Sequence, residues 1–294
     1  MDKLNCNVFL TVVETGSFKR AADMLGYTQA GISYIINALE DELGLKLFYR
    51  EHGGVRLTSD GEILLPLIRQ IDLGERNLMD KVNDIKGLSA GKVRVSTFNG
   101  VYIHLLPGII RTFREKYPAI DIEIISCEDN QKNEQLIFSR DVDCGFLPEK
   151  PSSEIEFFDL LEDPYMAAVS EEHPLADSTA FPVNRFYEDS YIMIAFDKSD
   201  FYDKVFPDGK RPRPAFVADN EQAALAMVSE GLGVGIFSHL LAGNASYPVR
   251  FIPLDPTITR TVGIGVRSMK TCTNATRMFI QHTGDWMSGK EMGK

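Results

Sequence analysis

Gln29, Ser33, Tyr34 and Asn37 lie within nine residues of one stretch, "TQAGISYIINALEDELG". Their amide and hydroxyl groups form directional hydrogen bonds, and no catalytic partner stands beside them. A Gln amide presents a donor and an acceptor side by side, which suits the N6/N7 edge of adenine in a major groove. Ser33, Tyr34 and Asn37 can reach sugar, phosphate or base from the same helix. The alternative for Gln29 is a solvated side chain, and for Ser33 it is helix capping. Ser17 and Thr28 each open a predicted helix, where a hydroxyl can cap the helix or donate to phosphate. Arg50 and Arg56 flank a short hairpin and supply cations, with pairing to a nearby acid as the alternative for Arg50. This is the chemistry of nucleic-acid recognition.

Charge sets a condition on that reading. The chain of 294 residues carries a net charge of −11, which excludes a protein that coats nucleic acid indiscriminately. Residues 1–60 hold six Lys/Arg (3, 19, 20, 46, 50, 56) against eight Asp/Glu (2, 14, 23, 40, 41, 42, 51, 60), and none of the cations falls between Ala21 and Leu45. Any contact with DNA must rest on placement rather than on bulk charge.

Other chemistries find no motif. H-E-x-x-H and G-K-[ST] are absent. "GLGVGI" (231–236) follows a helix and enters a strand, the reverse of a nucleotide-binding loop, so it reads as a tight turn. Glu162, Asp163, Glu171, Glu172 and His173 are close in sequence but lack metal-ligand spacing. No catalytic residue, metal site or cofactor is assigned. Cys6, Cys127, Cys144 and Cys272 are scattered, as reduced thiols of a cytoplasmic protein would be, with redox sensing at Cys127 or Cys144 as the alternative. Neither a membrane span nor a secretory leader is visible, so the expected location is cytoplasmic.

The elements that must position these residues follow from periodicity. Leu4, Val8, Phe9 and Val12 give a first helix its apolar face; Phe18, Ala22 and Leu25 give a second; Ile32, Ile36, Leu39 and Leu43 give a third. Gly16, Gly26 and Gly44 end them. "KLFYREHGGVRLTSDG" alternates about a Gly-Gly turn and predicts a wing. Together these make a winged helix-turn-helix. A long helix follows, with Leu64, Ile68, Ile71, Leu78, Val82 and Ile85 on a heptad seam that predicts pairing between chains. "GLSAGK" (87–92) reads as a hinge. Beyond it, "KVRVSTF", "IDIEIIS" and "VDCGFL" alternate with helices and predict a parallel sheet, and a second set of strands and helices leads to a final helix.

"FLTVVETGSFKRAADMLGYTQAGISYIINALEDELGLKLFYR" and then "RLTSDG" resemble the LysR-type transcriptional regulators. The matching positions include Phe9, Glu14 to Phe18, Ala21-Ala22, Leu25, Gln29, Ile32, Ser33, Leu39-Glu40, Leu43-Gly44, Leu47-Phe48, Arg50, Leu57-Thr58 and Gly61. "LLPGIIRTFREKYP", "RDVDCGF", "SEEHPLA" and "SEGLGVGIFS" extend a looser likeness to the rest of the chain. Tyr34, Ile35 and Asn37 depart from it, standing where the family usually has Arg, Gln and Arg.

The resemblance implies an α/β protein with an all-α N-terminal part: a winged helix-turn-helix, a long linker helix and a two-lobed periplasmic-binding-protein-like effector domain. The expected boundaries are 1–58 for the DNA-binding domain, 59–90 for linker helix and hinge, 91–162 with 266–294 for one lobe, and 163–265 for the other. Crossovers between lobes are expected near Leu160 to Pro164 and near Ile264 to Ser268. The resemblance also implies partners: double-stranded operator DNA, a small-molecule effector, and further copies of the chain in a homodimer or homotetramer. It places Ser96, Thr97, Phe98, Asn99, Ser126, Cys127, Glu128, Asp129, Phe196 and Asp219 around the effector. Ser96, Thr97 and Asn99 near a helix start suit a carboxylate, whereas Glu128 and Asp129 oppose one, so the sign of the effector's charge stays open. The expected function is sequence-specific transcriptional regulation in response to that effector. The alternative is a small-molecule-binding protein with weak or lost DNA binding; an enzyme has no motif behind it.

Overall fold

Val8, Phe9, Val12, Phe18, Ala22, Ile32, Ile36 and Leu39 are all buried in one cluster, and three helices form around it. The computed structural model describes residues 3–51, 54–85, 90–151, 154–195, 204–206, 209–242 and 247–291. Phe196, part of the Gly-Gly turn and half of the hinge lie outside the described residues. The helices are α1 (Lys3–Thr15), α2 (Phe18–Leu25) and α3 (Gln29–Leu43). Ser17 accepts from Arg20 N, Thr28 accepts from Gly31 N, and Gly26 and Gly44 end α2 and α3 at φ of 71° and 67°. The wing strands β1 (Phe48–Glu51) and β2 (Gly54–Leu57) pair antiparallel, Phe48 opposite Leu57. Val55 N donates to Gly16 O at 2.9 Å. A Cβ on Gly54 would lie 2.8 Å from that same oxygen, so glycine is what lets the wing dock on the α1–α2 turn.

Leu43 departs from the expected stripe. It is 38% exposed, because α3 stops at Gly44 before a neighbour covers it. Glu40 takes the buried place instead, 4% exposed. Its carboxylate accepts from Leu47 N (2.8 Å), Phe48 N (3.2 Å) and Lys46 Nζ (2.6 Å), which fixes where the wing begins. Burial works to raise the Glu40 pKa, but the Lys46 ammonium and the two N–H donors outweigh it and hold it below the ordinary value. A depressed folded pKa means stabilisation that is full at neutral pH and fades as pH falls through the folded value. Glu40→Ala should therefore destabilise the N-terminal unit by about 1–3 kcal/mol, through buried N–H groups left without an acceptor. Glu40→Gln should flatten the acid limb of stability against pH. Thermal melts between pH 3 and 7 check both; an unchanged acid limb in Glu40→Gln would show that this carboxylate is not the titrating group.

The long helix α4 (Ser59–Ile85) carries the heptad seam, but the seam divides. Leu64 and Ile68 pack on the N-terminal core of the same chain. Leu73, outside the seam, is also buried. Ile71, Leu78 and Ile85 are 42%, 64% and 79% exposed.

Ten strands form the remaining sheet, in the order β4-β3-β5-β12-β6-β10-β8-β9, with β11 on β6 and β7 on β11. On one side, β3 (Gly91–Thr97), β4 (Ile120–Ser126) and β5 (Cys144–Leu147) run parallel. Between them come α5 (Asn99–His104), α6 (Leu106–Lys116) and α7 (Asn130–Phe138). On the other side lie β7 (Phe181–Pro182), β8 (Tyr191–Ile194), β9 (Phe216–Ala218), β10 (Val234–Ser238) and β11 (Val249–Asp255), with α8 (Glu221–Ser229) and α9 (His239–Ala242).

Two strands join the sides. β6 (Glu156–Ser170) pairs with β12 (Thr259–Val266) up to Pro164 and with β10 and β11 from Tyr165 onward. The outward bridge falls at Leu160–Pro164. On the return, β12 meets β6 already at Thr259, and from Gly263 it pairs with β5. The final helix, α10 (Asn274–Glu291), packs Phe279 and Ile280 into the first lobe's core, Phe279 with its ring 5.2 Å from that of Phe113.

Candidate nucleic-acid interface and effector cleft

Thr28 as N-cap aims the first turn of α3 outward. Gln29 in that turn is exposed, Tyr34 is 76% exposed, and Ser33 and Asn37 are half-buried. Arg50 reaches this face from β1: its Nη2 donates to Asn37 Oδ1 at 2.7 Å, and its guanidinium lies 4.9 Å from the Phe18 ring centre. Among the described residues the partner of Arg50 is thus an amide and not an acid, which holds the cation beside the helix without neutralising it. Arg56 lies over the Tyr49 ring at 5.0 Å on the wing. Ser17, half-buried, caps α2. Lys19 and Arg20, which the sequence reading passes over, are exposed in the first turn of α2 beside it.

In the α/β part, the exits of β3 and β4 lie side by side, with Cys127 N donating to Thr97 O at 2.9 Å. Asn99 N donates to Glu128 Oε1 at 2.9 Å, and Asp129 caps α7 through Lys132 N at 3.0 Å. Burial raises the Glu128 pKa, partly offset by the Asn99 N–H and by the charge of Arg260. Ser96 is not presented to a cleft. It is fully buried, with its hydroxyl next to Gly145, because strand alternation turns it toward the interior. Thr97 is fully buried too, its hydroxyl 3.3 Å from Phe98 O. Ser126 ends β4 and is exposed. Asp219, exposed, follows β9 at the same carboxyl edge as Ser238 of β10. Phe196 lies outside the described residues.

The centre of this region is a pair that sequence reasoning missed. Arg260 on β12 and Asp163 on β6 face each other in register at the bridge. Arg260 Nε and Nη2 donate to Asp163 Oδ2 at 2.9 and 2.8 Å, and Leu240 N donates to Oδ1 at 2.8 Å. The guanidinium lies 5.1 Å from the Phe98 ring centre and 5.4 Å from that of Tyr165, so it touches both lobes. Desolvation works against its charge, but Tyr165 and Asp163 more than offset it and raise its pKa. The available signal was a lone Arg ahead of the apolar strand "TVGIGV" and an acid placed directly before Pro164.

The N-terminal unit and α4 also touch the first lobe. Arg69 pairs with Asp141, Arg76 with Asp143 (2.7 Å), Glu14 with Arg94 (3.6 Å), and Asn77 donates to Thr271 O at 3.0 Å. Burial pushes Cys6 up to about 11 and raises Cys127, Cys144 and Cys272, which keeps these groups as unreactive thiols and weighs against redox sensing. Among the described residues no helix is long and apolar enough to cross a membrane.

Two family models match this chain. The model described as "Bacterial regulatory helix-turn-helix protein, lysR family" covers residues 5–62, and the "LysR substrate binding domain" covers residues 86–288. An uncharacterized HTH-type transcriptional regulator of Bacillus subtilis, YvbU, is 31% identical over 93% of this chain and 94% of its own length. A full-length OxyR variant from Pseudomonas aeruginosa superposes with a TM-score of 0.74 at 20% identity, over 98% of this chain and 94% of that one. Full-length CbnR complexed with target DNA gives a TM-score of 0.63 at 21% identity, over 96% of this chain and 99% of that one. At these identities the two structures speak to the fold alone.

Proposed function

The chain belongs to the LysR family of helix-turn-helix transcriptional regulators, and on that premise we propose which residues read DNA and where an effector acts. Gln29 contacts a base edge from the first turn of α3. Ser33, Tyr34 and Asn37 lie along the groove, and Ser17, Thr28, Arg50 and Arg56 hold the backbone. The observation that carries this reading is the exposed start of α3 beside an Arg50 braced by Asn37 and Phe18. The protein works in the cytoplasm as a dimer or tetramer joined through the exposed half of α4. Its effector sits between the lobes, over Phe98, Asn99, Glu128 and the Arg260–Asp163 pair, toward Cys127, Asp129, Phe196 and Asp219.

Binding assays on a cognate site and on random DNA test the reading helix. Gln29→Ala should lose about 1–3 kcal/mol on the cognate site and little on random DNA. Arg56→Ala should weaken both alike. Tyr34→Arg should tighten random binding and steepen the salt slope by about one unit. Equal losses for Gln29→Ala on both DNAs would remove base reading from this helix. A second reading, a small-molecule binder with weak DNA binding, draws on Lys46 and Arg50 both being engaged inside the protein. A gel shift with the chain's own upstream DNA separates the two.

A further inference from the structure

Away from the cleft, cations gather where the linker helix meets the first lobe. A cavity of about 20 Å³ opens there, walled by Leu73, Arg140, Asp143, Arg267, Thr271 and Thr273 among others. That half-open space holds about one water-sized group.

Arg140 occupies it under backbone strain. Its φ is 65°, a positive value that no other non-glycine among the described residues shows. It ends α7, with its N–H 3.2 Å from Ile137 O, at a position where glycine or asparagine is the usual occupant. Glycine would relieve the strain, so what the position offers is the guanidinium. That group makes one hydrogen bond, Nη2 to Thr271 Oγ1 at 3.3 Å, and no ion pair among the described residues. Its neighbours are engaged: Arg267 with Glu154 (3.1 Å) and the Phe138 ring (3.8 Å), and Arg76 with Asp143 (2.7 Å). Asp143 also accepts from Arg94 N at 2.7 Å, so both oxygens of the carboxylate on the wall are engaged, Oδ1 by Arg76 and Oδ2 by Arg94. Desolvation first, then the charges of Arg267 and Arg76, lower the Arg140 pKa, as expected of a cation among cations.

We propose that this junction binds a small inorganic oxyanion, phosphate or sulfate, with the Arg140 fork as its main donor and the Thr271 hydroxyl beside it. A planar guanidinium suits two oxygens at once, and the small half-open volume leaves the rest of the ion in solvent. Thr271 also gives its carbonyl to Asn77 of α4, so the site shares a residue with the docking of the linker.

The full chain is titrated with sodium phosphate and separately with sodium sulfate, at ionic strength held constant with sodium chloride, while its Tm is followed. Wild type should show a saturable rise of about 3–5 °C at ten times the half-saturating concentration. Arg140→Gly, freed of strain, should melt at or above wild type in chloride and lose that rise. Arg140→Asn, also tolerated at positive φ, should lose it too. A rise of equal size in either variant, or a wild type that responds no more than to chloride, overturns the proposal. No DNA enters the measurement, so its outcome is independent of the reading helix.

Discussion

Asp163→Ala lowers the stability of the effector domain by about 3–5 kcal/mol, a large effect for one residue. Asp163 is 1% exposed and engages three donors, two from Arg260 and one from Leu240 N. Removing its carboxylate leaves a guanidinium, only 13% exposed, between two aromatic rings without the carboxylate it is hydrogen-bonded to. At roughly 2–4 °C per kcal/mol for a domain of this size, Tm should fall by about 6–20 °C. The double variant Asp163→Leu with Arg260→Met should recover part of the loss, because apolar groups of similar volume need no partner. Calorimetry on the single and double variants checks this. A single variant that melts with wild type would mean the pair is solvated at the bridge.

Leu78→Asp together with Val82→Asp should convert the assembled protein to monomers. The two residues lie in the C-terminal half of α4, Leu78 64% exposed and Val82 half-buried. Charges there cost little in an isolated chain, where surface substitutions stay within about ±0.5 kcal/mol. They cost much more once a second chain excludes water from the seam. Light scattering should show the change in mass. Affinity for a two-half-site operator should drop by a factor of about 10² to 10⁴, since the second half-site contact is no longer intramolecular. Assembly like wild type would move the interface elsewhere.

The N-terminal helices were legible because their punctuation is local: Ser17, Thr28, Gly26 and Gly44 act within a turn of where they stand. The parallel sheet was legible from alternation alone. What the sequence hid depends on partners far along the chain. Arg260 and Asp163 are 97 residues apart, and neither spacing nor composition pairs them. The fifteen residues of β6 run through Pro164, and only β12 explains how a strand survives there. Periodicity gives α4 its stripe but not what covers each half, and the core of the same chain takes Leu64 and Ile68. Alternation likewise tells that Ser96 and Thr97 face opposite ways, without telling which way the cleft lies. For Arg50 the alternatives were open, and Asn37 and Phe18 decide where its charge rests.

Salt acts on this chain twice. Ion pairs hold the N-terminal unit and α4 against the first lobe, and they are not equally sheltered. Asp143 is 4% exposed beside Arg76, whereas Glu14 is 43% exposed beside Arg94. With a screening length of about 8 Å at physiological ionic strength, the exposed contact weakens first and the buried one hardly responds. Added salt therefore loosens α1 from the lobe while α4 stays docked. A plot of log affinity against log salt then contains a release within the protein besides the counterions displaced from DNA, and its slope overcounts phosphates. A difference between two slopes escapes this. Wild type and Tyr34→Arg share the internal release, so subtracting one from the other isolates the charge added at the groove.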